Sequence, residues 1–387
     1  MKSVINNRGG ALMITLAIMA MLSVIAIMAL DRSTTDVDLS YNQLHADQAF
    51  YTAEAGIERA IAVLNEDRTW DSGFANQPLG RGFYSVTVTD LDDIPALMDT
   101  VILHATGSVD GSNARIEAWL VPEKYHPFEY ALFGDTIVTM SNSSCTDSYN
   151  SDSGSYGSTL GHELADVGSN DSLILDNIAS IGGDAVSAIE GGVVIDNMAV
   201  VRGDTITGIE PVPVDIVDSS EFDWARENSI ADTGITGGFT YDPETFVFNV
   251  GAKETAVLTS GVYYFSDILV EQNGVIEVQP GANVIIYMTG DFVLRNTSAV
   301  NTDGTPSQFI IFSTGDLLSL GQNTVLTAAF YGPNAEFIID NYTDFYGSVV
   351  AETIDFRNNT CFHYDRALSA IEKGETGRYV VVAWREL

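Results

Sequence analysis

Residues 10–30 form an uncharged, mostly apolar run of 21 residues, preceded by Lys2 and Arg8 and followed directly by an amphipathic pattern. A helix rising ~1.5 Å per residue would carry such a run across the ~30 Å hydrocarbon core of a bilayer. A cleavable secretory signal has a shorter apolar region ending in small residues. The stretch Met28-Ala29-Leu30-Asp31-Arg32 offers no such site. Lys2 and Arg8 favour a cytoplasmic N-terminus, so the bulk of the chain is expected to be exported.

The helical signal does not stop at the membrane edge. Leu39, Leu44, Phe50, Tyr51, Ala53, Ile57, Ala60, Ile61 and Leu64 recur at three- and four-residue spacing, with Asp47, Glu54, Glu58 and Glu66 between them. The pattern predicts one helix over residues 11–66, a rod of roughly 84 Å. Its first half suits lipid, and its second half has one face that must pack on something. A plain membrane anchor has no need of that continuation.

Arg8-Gly9-Gly10-Ala11-Leu12, the apolar run, and Gln48-Ala49-Phe50-Tyr51-Thr52-Ala53-Glu54-Ala55-Gly56-Ile57-Glu58 together resemble the N-terminal domain of PilX-type pilus assembly proteins, a minor-pilin family. The resemblance covers roughly residues 5–65. It implies a bacterial inner-membrane subunit that joins a pilus or secretion filament, with other pilins as partners. It also implies cleavage between Gly10 and Ala11 by a prepilin peptidase. Major pilins carry Glu at the fifth mature position, where this chain has Thr15. Subunits lacking that carboxylate occur among minor pilins at a fibre tip, and a carboxylate without its partner would be costly in lipid. The alternative is a non-cleaved, permanently anchored surface adhesin or scaffold.

The formal net charge is −36, and the chain beyond residue 30 holds 15 basic and 53 acidic side chains. Such a field repels nucleic acid phosphates and anionic headgroups, which sets nucleic-acid binding aside. High apolar content argues against disorder.

An α+β fold class follows. Residues 1–10 read as a basic leader, 11–66 as the helix, and 67–122 as a small antiparallel β head with strands Phe83–Thr89, Thr100–Val109 and Asn113–Val121. A two-proline linker leads into residues 128–387. There a hydrophobic-x-Asn step recurs at Asn142, Asn177, Asn197, Asn296, Asn341 and Asn358, with Gly-Asp pairs at 134–135, 183–184, 203–204, 290–291 and 315–316. Spacings of 20 residues (Asn177 to Asn197) and 17 (Asn341 to Asn358) suggest a β-helix-like solenoid, with a β-sandwich as the alternative. Residues 209–260, with three prolines and a helix candidate at 220–228, read as an insertion or lateral flap. Residues 261–368 resemble the β-rich domain of uncharacterised function found behind PilX-type N-termini, on Gly261-Val262-Tyr263-Tyr264-Phe265, Phe330-Tyr331-Gly332-Pro333-Asn334-Ala335 and Phe345-Tyr346-Gly347-Ser348-Val349-Val350.

Candidate sites are few. Asp147, Asn150 and Asp152 offer calcium-type oxygen ligands in a Gly/Ser-rich loop, or a solvated turn, since the order is not that of an EF-hand. Calcium is thus the one cofactor the sequence raises. His162-Glu163-Leu164-Ala165-Asp166 begins like a zinc-protease helix but ends in Asp and is flanked by glycines, so a turn is expected. Arg202-Gly203-Asp204 coincides with the Gly-Asp corner and reads as a turn. The aromatics Tyr263, Tyr264, Phe265, Phe330, Tyr331, Phe345 and Tyr346 read first as core and secondarily as a glycan platform. Cys145 and Cys361 each lie three residues after a repeat Asn. They can bridge if the first and last coils are neighbours, and are too far apart if coils stack strictly in sequence. No nucleophile elbow, phosphate loop or metal cluster stands out, so no enzyme activity is expected. A polysaccharide-cleaving solenoid remains a fold-level analogy.

Overall fold

The computed structural model describes residues 8–90, 100–214, 219–373 and 375–387; most of the expected leader, Lys2 included, lies outside them. The chain forms two compact units, residues 1–124 with 375–387, and residues 125–374.

In the first unit a single helix, α1 (Arg8–Glu66), carries both halves of the sequence pattern. Its side chains are exposed from Leu12 through Leu44, and it is apolar enough over its first part to cross a membrane. The C-terminal part buries Ala49, Ala53, Ile57, Ala60 and Leu64, a stripe at helical spacing. That stripe packs on an antiparallel sheet of β1 (Phe74–Leu79), β2 (Gly82–Asp90), β3 (Val101–Val109), β4 (Ser112–Lys124) and the C-terminal strand Glu375–Glu386, in that order. Period-two alternation turns Val101, Leu103 and Ala105 of β3, with Ile116, Ala118 and Leu120 of β4, toward the helix. The helix comes so close at Gly107 that a Cβ there would sit 2.1 Å from the Ala49 carbonyl oxygen.

The second unit begins with β5 (Leu132–Met140), β6 (Cys145–Tyr149), β7 (Val167–Ser169), β8 (Ser172–Leu175), β9 (Ser180–Ile181), β10 (Ala185–Ser187), β11 (Val193–Ile195), β12 (Val200–Val201) and β13 (Thr205–Thr207). Pairing is parallel and at a constant stride: β7 with β10 and β10 with β13, β8 with β11, β9 with β12. The chain therefore climbs in three-sided coils. Later strands repeat the pattern, with Thr255–Leu258, Gly261–Phe265 and Ile268–Val270 carrying Val275–Val278, Val284–Met288 and Phe292–Leu294. The ascent continues to Val325–Ile339 and Asp344–Phe356. Asp344–Phe356 then pairs with β5, and Cys361–Asp365 with β6. The first coil of the unit lies on its last.

Two corner columns explain the recurring motifs. At the Asn corner the amides of Asn273, Thr297, Asn323, Tyr342, Asn359, Ser143 and Ile178 each donate to a carbonyl one coil on, those of Asn296, Gln322, Asn341, Asn358, Asn142, Asn177 and Asn197. All seven donors have positive φ, which Asn tolerates better than most residues and which the ladder imposes on Ile178, Thr297 and Tyr342. At the Gly-Asp corner, Asp166 Oδ1 accepts from the Asp184 amide and Asp184 Oδ1 from the Asp204 amide, at 2.8 and 2.7 Å. A Cβ at Gly203 would lie 2.1 Å from Asp184 Oδ1, so only glycine fits beside this chain of carboxylates. The interior is apolar, with Phe248 stacked on Phe265 (4.9 Å) and Phe345 on Phe362 (4.6 Å).

Two boundaries differ from the sequence reading. The second unit does not run to residue 387, because Glu375–Glu386 completes the first sheet by pairing antiparallel with β4. The expected head strands are present, and β1 joins them. The insertion is also shorter than 209–260. Phe248–Val250 and Thr255–Leu258 lie in parallel ladders and so belong to the stack, whose near end is closed by the antiparallel strands Ile235–Gly237 and Thr240–Tyr241. The helix Ser219–Asn228 lies on the side of the coils, Phe222 against Tyr287. Phe345→Ala should cost about 3–5 kcal/mol in a denaturant titration, because its ring fills the interior between neighbouring coils.

Candidate functional site

β6 alternates, turning Cys145, Asp147 and Tyr149 to the outer face while Thr146 and Ser148 turn inward. Its neighbour sets Cys361, His363 and Asp365 in register with those three. The next strand sets Asp344 against Cys361 and Tyr346 against His363. Three adjacent rungs thus stack Asp147, His363 and Tyr346. The segment between β6 and β7 folds back over this face and places Tyr156 on top of it.

The contacts are tight. His363 Nδ1 lies 2.8 Å from Asp147 Oδ1, and its Nε2 3.7 Å from Asp344 Oδ1. Tyr156 donates its hydroxyl to Asp147 Oδ2 at 2.8 Å. The rings of Tyr156 and Tyr346 each lie 4.5 Å from the imidazole. Burial pulls the His363 pKa down, but the hydrogen bonds to Asp147 and Asp344 and their negative charge outweigh it and raise the pKa above the usual histidine value. Burial and nearby carboxylates push the tyrosines Tyr149, Tyr156 and Tyr346 up, so they stay protonated. The result is an imidazole held between two carboxylates, which favour its protonated form, and sandwiched by rings.

Beside the cluster runs a groove of about 690 Å³, bounded by Tyr149, Tyr156 and Tyr346 on one side and by Thr302, Asp303 and Thr305 on the other. Its lining of tyrosines, hydroxyls and an exposed carboxylate suits a polar, hydrogen-bonding ligand.

The structure places the sequence candidates as follows. Cys145 and Cys361 are register partners joined in a disulfide, Cα atoms 4.6 Å apart. Asp147 has both oxygens engaged by His363 and Tyr156, and Asn150 Oδ1 accepts from the Asp152 amide. Asp147 and Asn150 therefore have other partners, the Asp152 carboxylate is exposed, and no metal-ligating trio occurs among the described residues. His162 through Asp166 form no helix, and Asp166 serves the Gly-Asp corner. Arg202-Gly203-Asp204 is another such corner. Tyr263, Phe265, Phe330, Tyr331 and Phe345 are buried, whereas Tyr346 reaches the groove. Gly10 lies in the helical backbone, as does Ala11, and Thr15 donates its hydroxyl to the Leu12 carbonyl at 2.9 Å. His363 is not among the residues the sequence singles out. The shared phase of the two cysteines held the missing signal, since Asp147 and His363 each lie two residues further on.

A family model for a domain of unknown function, DUF7305, matches residues 266–371. No curated protein sequence matches the chain. Among solved structures, the chain is similar to the competence-associated pilin ComZ from Thermus thermophilus, at 12% identity and TM-score 0.31 over 89% of this chain and 97% of that one. It is also similar to an ice-binding protein from the Antarctic ascomycete Antarctomyces psychrotrophicus, at 12% identity and TM-score 0.30 over 63% of this chain and 96% of that one. Likenesses this loose carry no argument.

Two outcomes are expected. Replacing both cysteines by serine should lower stability by about 2–4 kcal/mol, and non-reducing peptide mapping should find Cys145 and Cys361 linked. The folded pKa of His363 exceeds its unfolded value of about 6.5, so its stabilisation is full below that pH and is lost as pH rises through the folded value. The melting temperature should therefore fall across that window, and His363→Gln should remove this component of the pH dependence.

Proposed function

We propose that the chain is a minor pilin-like structural subunit of a bacterial type IV pilus or related secretion filament. It inserts in the inner membrane with its N-terminus in the cytoplasm, then joins the fibre among other pilins. The observation that carries this reading is α1 itself. One helix is exposed and apolar where lipid or neighbouring helices would cover it, and is buried against its own sheet further on. Thr15 satisfies its hydroxyl within the helix, so it can lie in lipid without the carboxylate of major pilins. The parallel coils are read as a β-solenoid displayed outward. Its bulk would clash with neighbours inside a packed fibre, which favours a tip or initiation position. In this reading the protein assembles and displays rather than catalyses, and the tyrosine groove is where a surface or glycan ligand would bind.

N-terminal sequencing of the protein produced with a prepilin peptidase tests the assignment. Ala11 is the expected first residue. A chain that keeps its original start instead supports the permanently anchored adhesin or scaffold.

A further inference from the structure

The two ends of the coil stack differ. One is closed by the antiparallel strands Ile235–Gly237 and Thr240–Tyr241. At the other, β11, β12 and β13 each pair on one side only among the described residues, with β8, β9 and β10. Their inward positions follow from register. Val193 and Ile195 lie over Leu173 and Leu175, and Val201 over Ile181, all three of the lower residues fully buried. No strand among the described residues pairs over the upper ones in turn. Ile195 is 44% exposed, and Met198 and Val200 beside it are 78% and 51% exposed. Repeat stacks normally end in a polar cap, and an unpaired apolar edge is a template for another strand.

We propose that this open end is a self-association surface, on which a second copy of the chain docks about a two-fold axis through β12. Two features of the end select that occupant. The first is the shape of the ramp. Coils rise about 4.8 Å per turn, and β13 lies on β10, a turn later in the same ascent, so β11 is lowest, β12 intermediate and β13 highest. Turning a copy over about an axis through the middle strand sets high against low on both sides. β11 then meets β13 of the second copy, β12 meets β12, and all pairs run antiparallel. The interface is self-complementary, as a two-fold contact requires.

The second feature is charge. Asp196 lies at the corner between β11 and β12, and Arg202 at the corner between β12 and β13 with Asp204 two residues on, all three exposed. The same axis exchanges these corners, so each Arg202 faces the second copy's Asp196. The third corner, with Glu190, faces its own counterpart in a solvated, screened contact.

Sedimentation velocity of the full chain in detergent micelles, over a hundredfold concentration range, tests this. A monomer–dimer equilibrium is expected. Arg202→Asp and Asp196→Arg should each weaken it at least tenfold, by placing like charges opposite each other. Combining both changes on one chain should restore it, because the swapped charges again face opposites. A chain monomeric throughout would overturn the proposal. So would a dimer indifferent to either single change, or a double variant no tighter than the singles. This test is independent of N-terminal processing.

Discussion

The second unit depends on one junction, where the coil ending at Asp365 meets the coil beginning at Leu132. The parallel ladders of Asp344–Phe356 with β5 and of Cys361–Asp365 with β6 join segments about two hundred residues apart in the chain. The entropy of closing so long a loop grows only slowly with its length, so continuous backbone pairing and a shared interior can offset it. The disulfide between Cys145 and Cys361 lies within this junction. So does the Asn column, which passes from Asn359 to Asn142 without interruption. The imidazole of His363 spans the same seam, contacting Asp147 on one side and Asp344 on the other. Covalent, electrostatic and backbone links all coincide where the chain supplies no connectivity.

The first unit rests on a different principle. Its helix is one continuous element with two environments, and the change between them falls near Ala49, where the buried stripe begins. Small residues, Ala49 and Ala53 on the helix and Gly107 on the sheet, allow close approach there. The C-terminal strand then covers the edge of β4. Arg385 reaches Glu117 at 2.8 Å, and that hydrogen bond, with another from Trp119, holds the Glu117 carboxyl below its usual pKa. A charged residue on a sheet is tolerated because its partners come from the neighbouring strand and from its own.

Much of this was legible in residue order. The helix follows from an apolar run joined to a three-to-four spacing, and the coils follow from a repeated hydrophobic-x-Asn step. The Gly-Asp corner explained Arg202 to Asp204, and flanking glycines with a terminal Asp marked His162 to Asp166 as a turn, before any functional reading was needed. What escaped was pairing between distant segments. Asp147 read as a loop ligand because its sequence neighbours are Asn150 and Asp152, whereas its true partners are His363 and Tyr156. The strands at 248–250 and 255–258 escaped because prolines and a helix candidate nearby mask their short apolar runs.

Residue order alone sets the local periods: a lipid-length helix with an amphipathic continuation, a β-rich remainder, and corners that need Asn or Gly. These are properties of neighbouring residues, set by backbone sterics and hydrophobic spacing. Long-range packing alone fixes the order in which coils stack, the return of residues 375–386 to the first sheet, and the cluster around His363. Those depend on which strand edges meet, and parallel pairing is set by matched ladders and a shared core between segments far apart in the chain. No local pattern records that choice.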